Sequence, residues 1–282
     1  MKYDLVIAHR VCPVLSGTAY GFVDKFLMVK SCAESLMTAL PGIKVRLIVI
    51  LDGCGKEYET LYPGAEIIRM DRVGNQATFA KQVELLSAVN DAPFVYFSED
   101  DYLYKPESFK AMLEFAARSG VDFVTPIDHP DRYDGSVSEP LRAEIRVSDR
   151  CHWRECGTTC LTFMTRPETV RKCRRVLMAY ANGEQDSVTW LGLTKWGLFS
   201  PQVILRSVVA LMRRFGGRNV WFGQFIPLMA WWRHNFRLFI TRRYRLWSPL
   251  PSLAFHLSSN TVPPVFKHDK MWSTFVDNAK GR

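Results

Sequence analysis

Glu99, Asp100 and Asp101 stand side by side directly after the apolar run Pro93 to Ser98. Three adjacent carboxylates at the end of a strand repel one another and persist only where cations or water compensate them. A divalent metal supplies such charge, and hard oxygen ligands suit manganese or magnesium. A metal in that position would bridge nucleotide phosphates and stabilise a departing diphosphate. A solvated acidic turn is the other reading of the spacing. Further candidates are Asp52 in "VILDG", the loop Arg72 to Asn75, the acids Glu184 and Asp186 in "NGEQDSVTW", and a lone histidine, His256.

The elements that must position these groups alternate. Buried strands are expected at 3–9, 44–53, 65–70 and 93–98, an amphipathic helix at 21–40, a short helix near 56–61, and a helix from about 76 to 89. Continuous apolar strands separated by helices imply an α/β fold with a mostly parallel sheet covered on both faces. Ligands in such sheets bind beyond the carboxyl ends of the strands. His9 and Arg10, Asp52, the 72–75 loop and the acidic triplet all fall at that rim. A helix at 106–119 and a strand at 121–126 continue the alternation. Residues 127–157 break it as a hairpin and loop, with Trp153, Arg154 and Glu155 as candidates for an acceptor wall. A strand at 158–165 and a helix at 166–181, with Pro167 in its first turn, resume it.

Length and composition, 282 residues with 48% hydrophobic, allow one large α/β domain or two modest ones. The seven cysteines are an odd, scattered set, which argues for free thiols; Cys151, His152, Cys156 and Cys160 lack the close spacing of a zinc knuckle. The N-terminal apolar run is too short for a signal peptide or membrane span, which reads as a cytosolic protein. Net charge is +9, but residues 1–186 carry 23 basic against 26 acidic groups, while 187–268 contain 11 Lys and Arg and no acid. The stretch 219–247 interleaves Trp, Phe and Tyr with Arg. Its apolar run from Val220 to Trp232 contains Pro227 and falls short of the about 20 residues a spanning helix needs. Such a segment suits the headgroup layer of an anionic membrane, or else a core helix with a basic face. No nucleic-acid motif accompanies the charge.

The order of these features resembles the GT-A fold of nucleotide-sugar-dependent glycosyltransferases, in particular the family 2 type of bacterial surface polysaccharide synthesis. The resemblance covers roughly residues 3–200. It implies that Asp52 contacts the nucleotide base and that "GNQATFAKQ", with Asn75 and Lys81, occupies the loop and helix after the third strand. The donor side would then comprise Asp52, His9, Arg10, Arg72, Asn75, Lys81, Glu99 and Asp100. "SEDD" takes the place of the DxD motif, with Asp101 as its second acid and either Glu99 or Asp100 sharing the metal. Asp186, or Glu184 beside it, takes the place of the base that accepts the acceptor's proton; Asp186 is preferred, and an ordinary helix cap is its alternative role. His256 takes the place of a late histidine ligand, carried back over the site.

The implied architecture is a catalytic domain at 1–204, its donor half 1–126 and acceptor half 127–204, with a basic aromatic extension at 205–282. The implied reaction is an inverting, metal-dependent transfer from a nucleoside-diphosphate sugar to a hydroxyl of a glycan or polyprenyl-linked acceptor, on the inner face of the membrane. Asp52 accepts from an imide N–H, a mild preference for UDP. A nucleotidyltransferase and a catalytically inactive assembly factor are the rival readings; the chain has no Gly-rich phosphate loop and no G-x-G-x-x-G.

Overall fold

Every residue of the first strand, β1 (Leu5–Val11), is buried, and its two faces serve two different cores. In the computed structural model, which describes residues 1–15, 24–129, 132–133, 143–216 and 222–257, Leu5 and Ile7 pack with α1 (Lys25–Thr38) and α3 (Ser108–Ala116). Val6 and Ala8 pack on the other side with α2 (Asn75–Ser87), α4 (Pro167–Ala181) and α5 (Asp186–Thr194). Coverage on both sides explains why the strands read as unbroken apolar runs.

β1 lies between β2 (Val45–Asp52) and β4 (Phe94–Glu99), parallel to both, and β3 (Glu66–Met70) adds a fourth parallel strand beside β2. The register sets Arg10 opposite Glu99 and Asp52 opposite Met70, so one rim gathers the carboxyl ends. Beyond β4 the sheet is mixed. β9 (Phe163–Thr165) runs antiparallel between β4 and β6 (Phe123–Val124). Next come β10 (Leu246–Leu250), parallel to β6, then β8 (His152–Cys156) and the edge strand β7 (Ile145–Val147). Above the rim, β5 (Tyr102–Tyr104) pairs antiparallel with β11 (Ala254–His256). Three further helices, α6 (Pro201–Phe215), α7 (Ile226–His234) and α8 (Arg237–Ile240), lie outside α5.

Three expectations need correction. The boundary expected at 204 falls inside α6, and the segment beyond it supplies β10, a strand in the interior of the main sheet. Apolar burial holds it there. Leu246 and Trp247 are fully buried, Trp247 sits edge-on to Phe115, and the guanidinium groups of Arg146 and Arg245 lie over its ring at 4.6 Å. Ion pairs then join the basic segment to acids of the body: Arg242 to Asp122 at 2.6 Å and Arg243 to Glu155 at 2.8 Å.

The expected acceptor wall is also dismantled. Trp153 is a core residue stacked on Phe115 at 4.3 Å, and Glu155 is taken by Arg243 and Arg245. The strand expected at 158–165 begins only at Phe163, because Thr158 and Thr159 bond sideways to Arg132 and Thr125. Residues 21–23 of the expected first helix, 130–131 and 134–142 of the expected excursion, 219–221 of the aromatic stretch and the extension past 257 lie outside the described residues.

Removing the ring of Trp247 from this packed position should cost about 3–5 kcal/mol. Urea unfolding of Trp247→Ala is expected to show that loss. A chain ending at residue 204 should fail to give a cooperative thermal transition, and native-like melting of it would show that the sheet closes without β10.

Candidate functional site

The three acids of the triplet diverge, and each meets a different cation. Glu99 Oε1 accepts from Arg10 Nη2 at 2.5 Å, and its Oε2 from Thr162 Oγ1 at 2.9 Å. Asp100 Oδ2 takes the Lys25 ammonium at 2.8 Å and the Cys12 N–H at 2.9 Å. Asp101 Oδ2 faces His256 Nε2 at 3.1 Å. Strand pairing accounts for the last contact: β11 sets His256 opposite Tyr102, stacked on its ring at 4.6 Å, and the Leu257 N–H closes onto the Asp101 carbonyl at 2.8 Å.

These partners set the protonation. Burial raises the Asp100 carboxyl above its ordinary range, with Lys25 opposing and the charge of Asp101 adding to the rise. Burial acts the same way on Asp101, but His256 outweighs it and holds that carboxyl below its ordinary range. Burial by itself would lower His256, yet Asp101 carries it well above the usual imidazole value. With no ion between them these shifts favour an imidazolium beside a carboxylate, and a metal bound there would have to displace the imidazole proton.

The rim holds a cavity of about 580 Å³ lined by Arg10, Cys12, Asp52, Arg72, Asn75 and all three acids. That size suits a nucleotide-sized ligand. Its floor depends on Asp52, whose two oxygens accept the N–H groups of Val73 and Gly74, both at 2.8 Å. This folds the loop ahead of α2, where Arg72 and Gly74 take φ of +51° and +87°. Gly53, itself at φ +71°, has no room for a side chain, since a Cβ there would lie 2.2 Å from Arg72 Cγ. Arg10 reaches across to the Asn75 carbonyl at 2.9 Å and also donates to its Oδ1, while Asn75 Nδ2 donates to the Tyr180 hydroxyl at 2.9 Å.

Two expected donor residues are not brought to the cavity. His9 is buried in the core between Ser98 Oγ at 2.8 Å and the Tyr62 hydroxyl at 2.9 Å, because its place on β1 turns it under the rim. Lys81 lies on the outer side of α2 and pairs with Glu84 at 2.8 Å.

The metal assignment divides as well. Asp101 Oδ1 is buried without a hydrogen-bond partner, as a ligand oxygen would be, and His256 is next to it. Both oxygens of Glu99 are engaged elsewhere, so Glu99 is not gathered with them. Among the described residues no group of three or more His, Cys, Asp and Glu is arranged to hold a metal. Asp101 Oδ1 could meet an ion without breaking a hydrogen bond, whereas His256 could join it only by giving up its Nε2 bond to Asp101 Oδ2, and the remaining ligands would have to come from substrate phosphates.

Asp186 opens α5, its Oδ1 accepting the Ser187 N–H at 2.6 Å. Burial raises its carboxyl above the ordinary range, opposed by that N–H, with the charge of Glu99 adding to the rise. Glu184, the alternative base, is held away in an ion pair with Arg233 at 3.0 Å and accepts from Thr189 Oγ1 at 3.2 Å. Lys25, Thr162 and Tyr180 complete the site without any local signal in the sequence; only the topology brings them in.

No family model matches the chain, and no curated protein matches it in sequence. Among solved structures it is similar to a CMP:2-keto-3-deoxy-manno-octonic acid synthetase complexed with CTP, at 13% identity over 67% of this chain and 86% of that one, with a TM-score of 0.41. It is also similar to the galactosyltransferase LgtC in complex with donor and acceptor sugar analogs, at 13% identity over 66% and 69%, with a TM-score of 0.39. Function has to be read from the site itself.

Burial lowers the His9 imidazole from 6.5 to about 3, so the folded protein keeps it neutral where the unfolded chain binds a proton. Between those values the unfolded state holds the extra proton, and the His9 contribution to stability falls as pH is lowered from about 6.5 toward 3. Denaturant midpoints measured across this range should fall less steeply in His9→Gln than in the parent.

Proposed function

We propose that the protein is a glycosyltransferase that moves a sugar from a nucleoside-diphosphate sugar to a hydroxyl of a glycan or lipid-linked acceptor, with inversion. The observation that carries this reading is the pairing of a nucleotide-sized cavity, walled by Asp52 and Asp101, with a separate buried carboxylate, Asp186, whose affinity for protons is raised. A raised carboxyl is a better general base than a surface one.

In this reading Asp52 accepts from the base of the donor, with uridine preferred, while its loop bonds hold the cavity floor. Arg10 and Asn75 fix the wall between β1 and α2. Asp101 and His256 would hold manganese or magnesium, and such an ion would offset the charge of a leaving diphosphate. Asp186 takes the proton of the acceptor hydroxyl, whose oxygen attacks the anomeric carbon as the bond to the diphosphate breaks. The ion pair that holds Glu184 supports Asp186 as the base. Because Asp186 must be ionised, transfer should decline on the acid side at a pH above the ordinary aspartate value.

Thermal melting with UDP, GDP, dTDP and CDP, each with and without manganese, tests the donor half. A shift produced by one diphosphate only when metal is present is expected, and its loss in Asp101→Ala with the fold intact. Asp186→Asn should keep that shift while transfer falls by about 10²–10⁴-fold. Glu184→Gln should lose much less. Pyrophosphate release from a nucleoside triphosphate would favour a nucleotidyltransferase, and silence toward every nucleotide would favour an assembly factor.

A further inference from the structure

α6 packs in reverse of an ordinary surface helix. The side chains it buries are Val203, Ser207 and Ala210, small groups at helical spacing. Its large apolar groups face outward, with Met212 68% and Phe215 83% exposed. A helix that covers a core does the opposite. α7 and α8 continue the same character, with Trp232 83% and Ile240 73% exposed. The rings of Phe199, Trp231 and Phe239 meet at 5.4 Å and tie the start of α6 to α7 and α8 as one platform.

Charge selects the occupant. Arg206, Arg213 and Arg214 are exposed beside these apolar groups on α6, and among the described residues no carboxylate pairs with them. No Asp or Glu occurs anywhere from 187 to 268, so the platform brings no negative charge of its own. No helix among the described residues is long and apolar enough to cross a membrane. Outward Trp, Phe and Met flanked by arginines, on helices too short to span, match the chemistry of the headgroup and acyl boundary of an anionic bilayer.

We infer that the face built from α6, α7 and α8 docks on an anionic lipid surface. Its inner side is fixed to the helix that begins with Asp186. Arg233 of α7 pairs with Glu184, and His234 fills the space over Gly192, where a Cβ would lie 2.4 Å from its Nε2. Trp231 Nε1 donates to the Leu198 carbonyl at 2.8 Å. Docking would therefore leave one helix, α7, between α5 and the lipid, its axis about 8–10 Å from that of α5. A lipid-linked acceptor follows from this only on the transfer reading; vesicle binding does not depend on that reading.

The test is flotation of the full chain with phosphatidylcholine vesicles, with and without about a third of phosphatidylglycerol, at low and high salt. The parent should float with the anionic vesicles, less with neutral ones, and less as salt rises. Met212→Glu combined with Phe215→Glu, and separately Trp232→Glu, should weaken that binding by about tenfold or more. Those side chains are exposed, so melting temperature and any nucleotide response should stay at the parent values. A parent chain that ignores anionic vesicles, or variants that bind as the parent does, would overturn the inference. So would sedimentation showing a dimer that these substitutions dissolve while vesicles have no effect, since the face would then join two copies of the chain.

Discussion

Everything at the rim depends on neutralising three consecutive carboxylates without letting them share a partner. A single cation among them would leave the others facing like charge at close range. The fold supplies Arg10 from β1, Lys25 from α1 and His256 from β11, so each acid points a different way. Glu99 and Asp100 are thereby structural anchors that fix the strand end against its neighbours. Breaking a buried pair of this kind by removing one partner costs about 3–5 kcal/mol, because the survivor stays charged in a dry site. Asp101 keeps one buried oxygen, Oδ1, without a hydrogen-bond partner among the described residues.

The basic C-terminal third has two tasks that its composition merges into one. Arg242, Arg243 and Arg245 pair with Asp122, Glu144 and Glu155 at the surface of the body and flank the apolar burial that holds β10 in the sheet. Arg206, Arg213 and Arg214 face outward. The same excess of positive charge thus joins the segment to a body with a slight acidic surplus and leaves a cationic face on the outside.

Much of the first half is legible because its elements announce themselves locally. The strands carry unbroken apolar runs and the polar groups at strand ends mark the rim, whereas the cap of α1 is missed: Asp24, inside the expected 21–40 helix, accepts the Leu27 N–H at 3.0 Å. β10 is illegible for a physical reason. "LWSPL" contains Pro249, which argues against an interior strand. It is tolerated because β6 spans only two residues, so beyond Trp247 the strand has a ladder on one side alone. His9 misleads for a related reason. It lies at a strand end, but which face of β1 it takes depends on register and on where Tyr62 arrives, and neither is encoded near it. Among the charged groups, partners about 90 or 150 residues apart, as with Arg10 to Glu99 and Asp101 to His256, leave no spacing to read.

The insertion of β10 between β6 and β8 also bears on how the chain comes into being. Chains lengthen from the N-terminus, so β6 and β8 are made long before the strand that separates them. Until residue 250 is available the two have no correct partner between them, and their open edges invite pairing with each other or with another chain. His256 arrives later still, so Asp101 waits for its cation after the rest of the rim can form. Such long-range closure is slow to find, so the half-made sheet keeps its unpaired edges open longer than a sheet built from neighbours in sequence would.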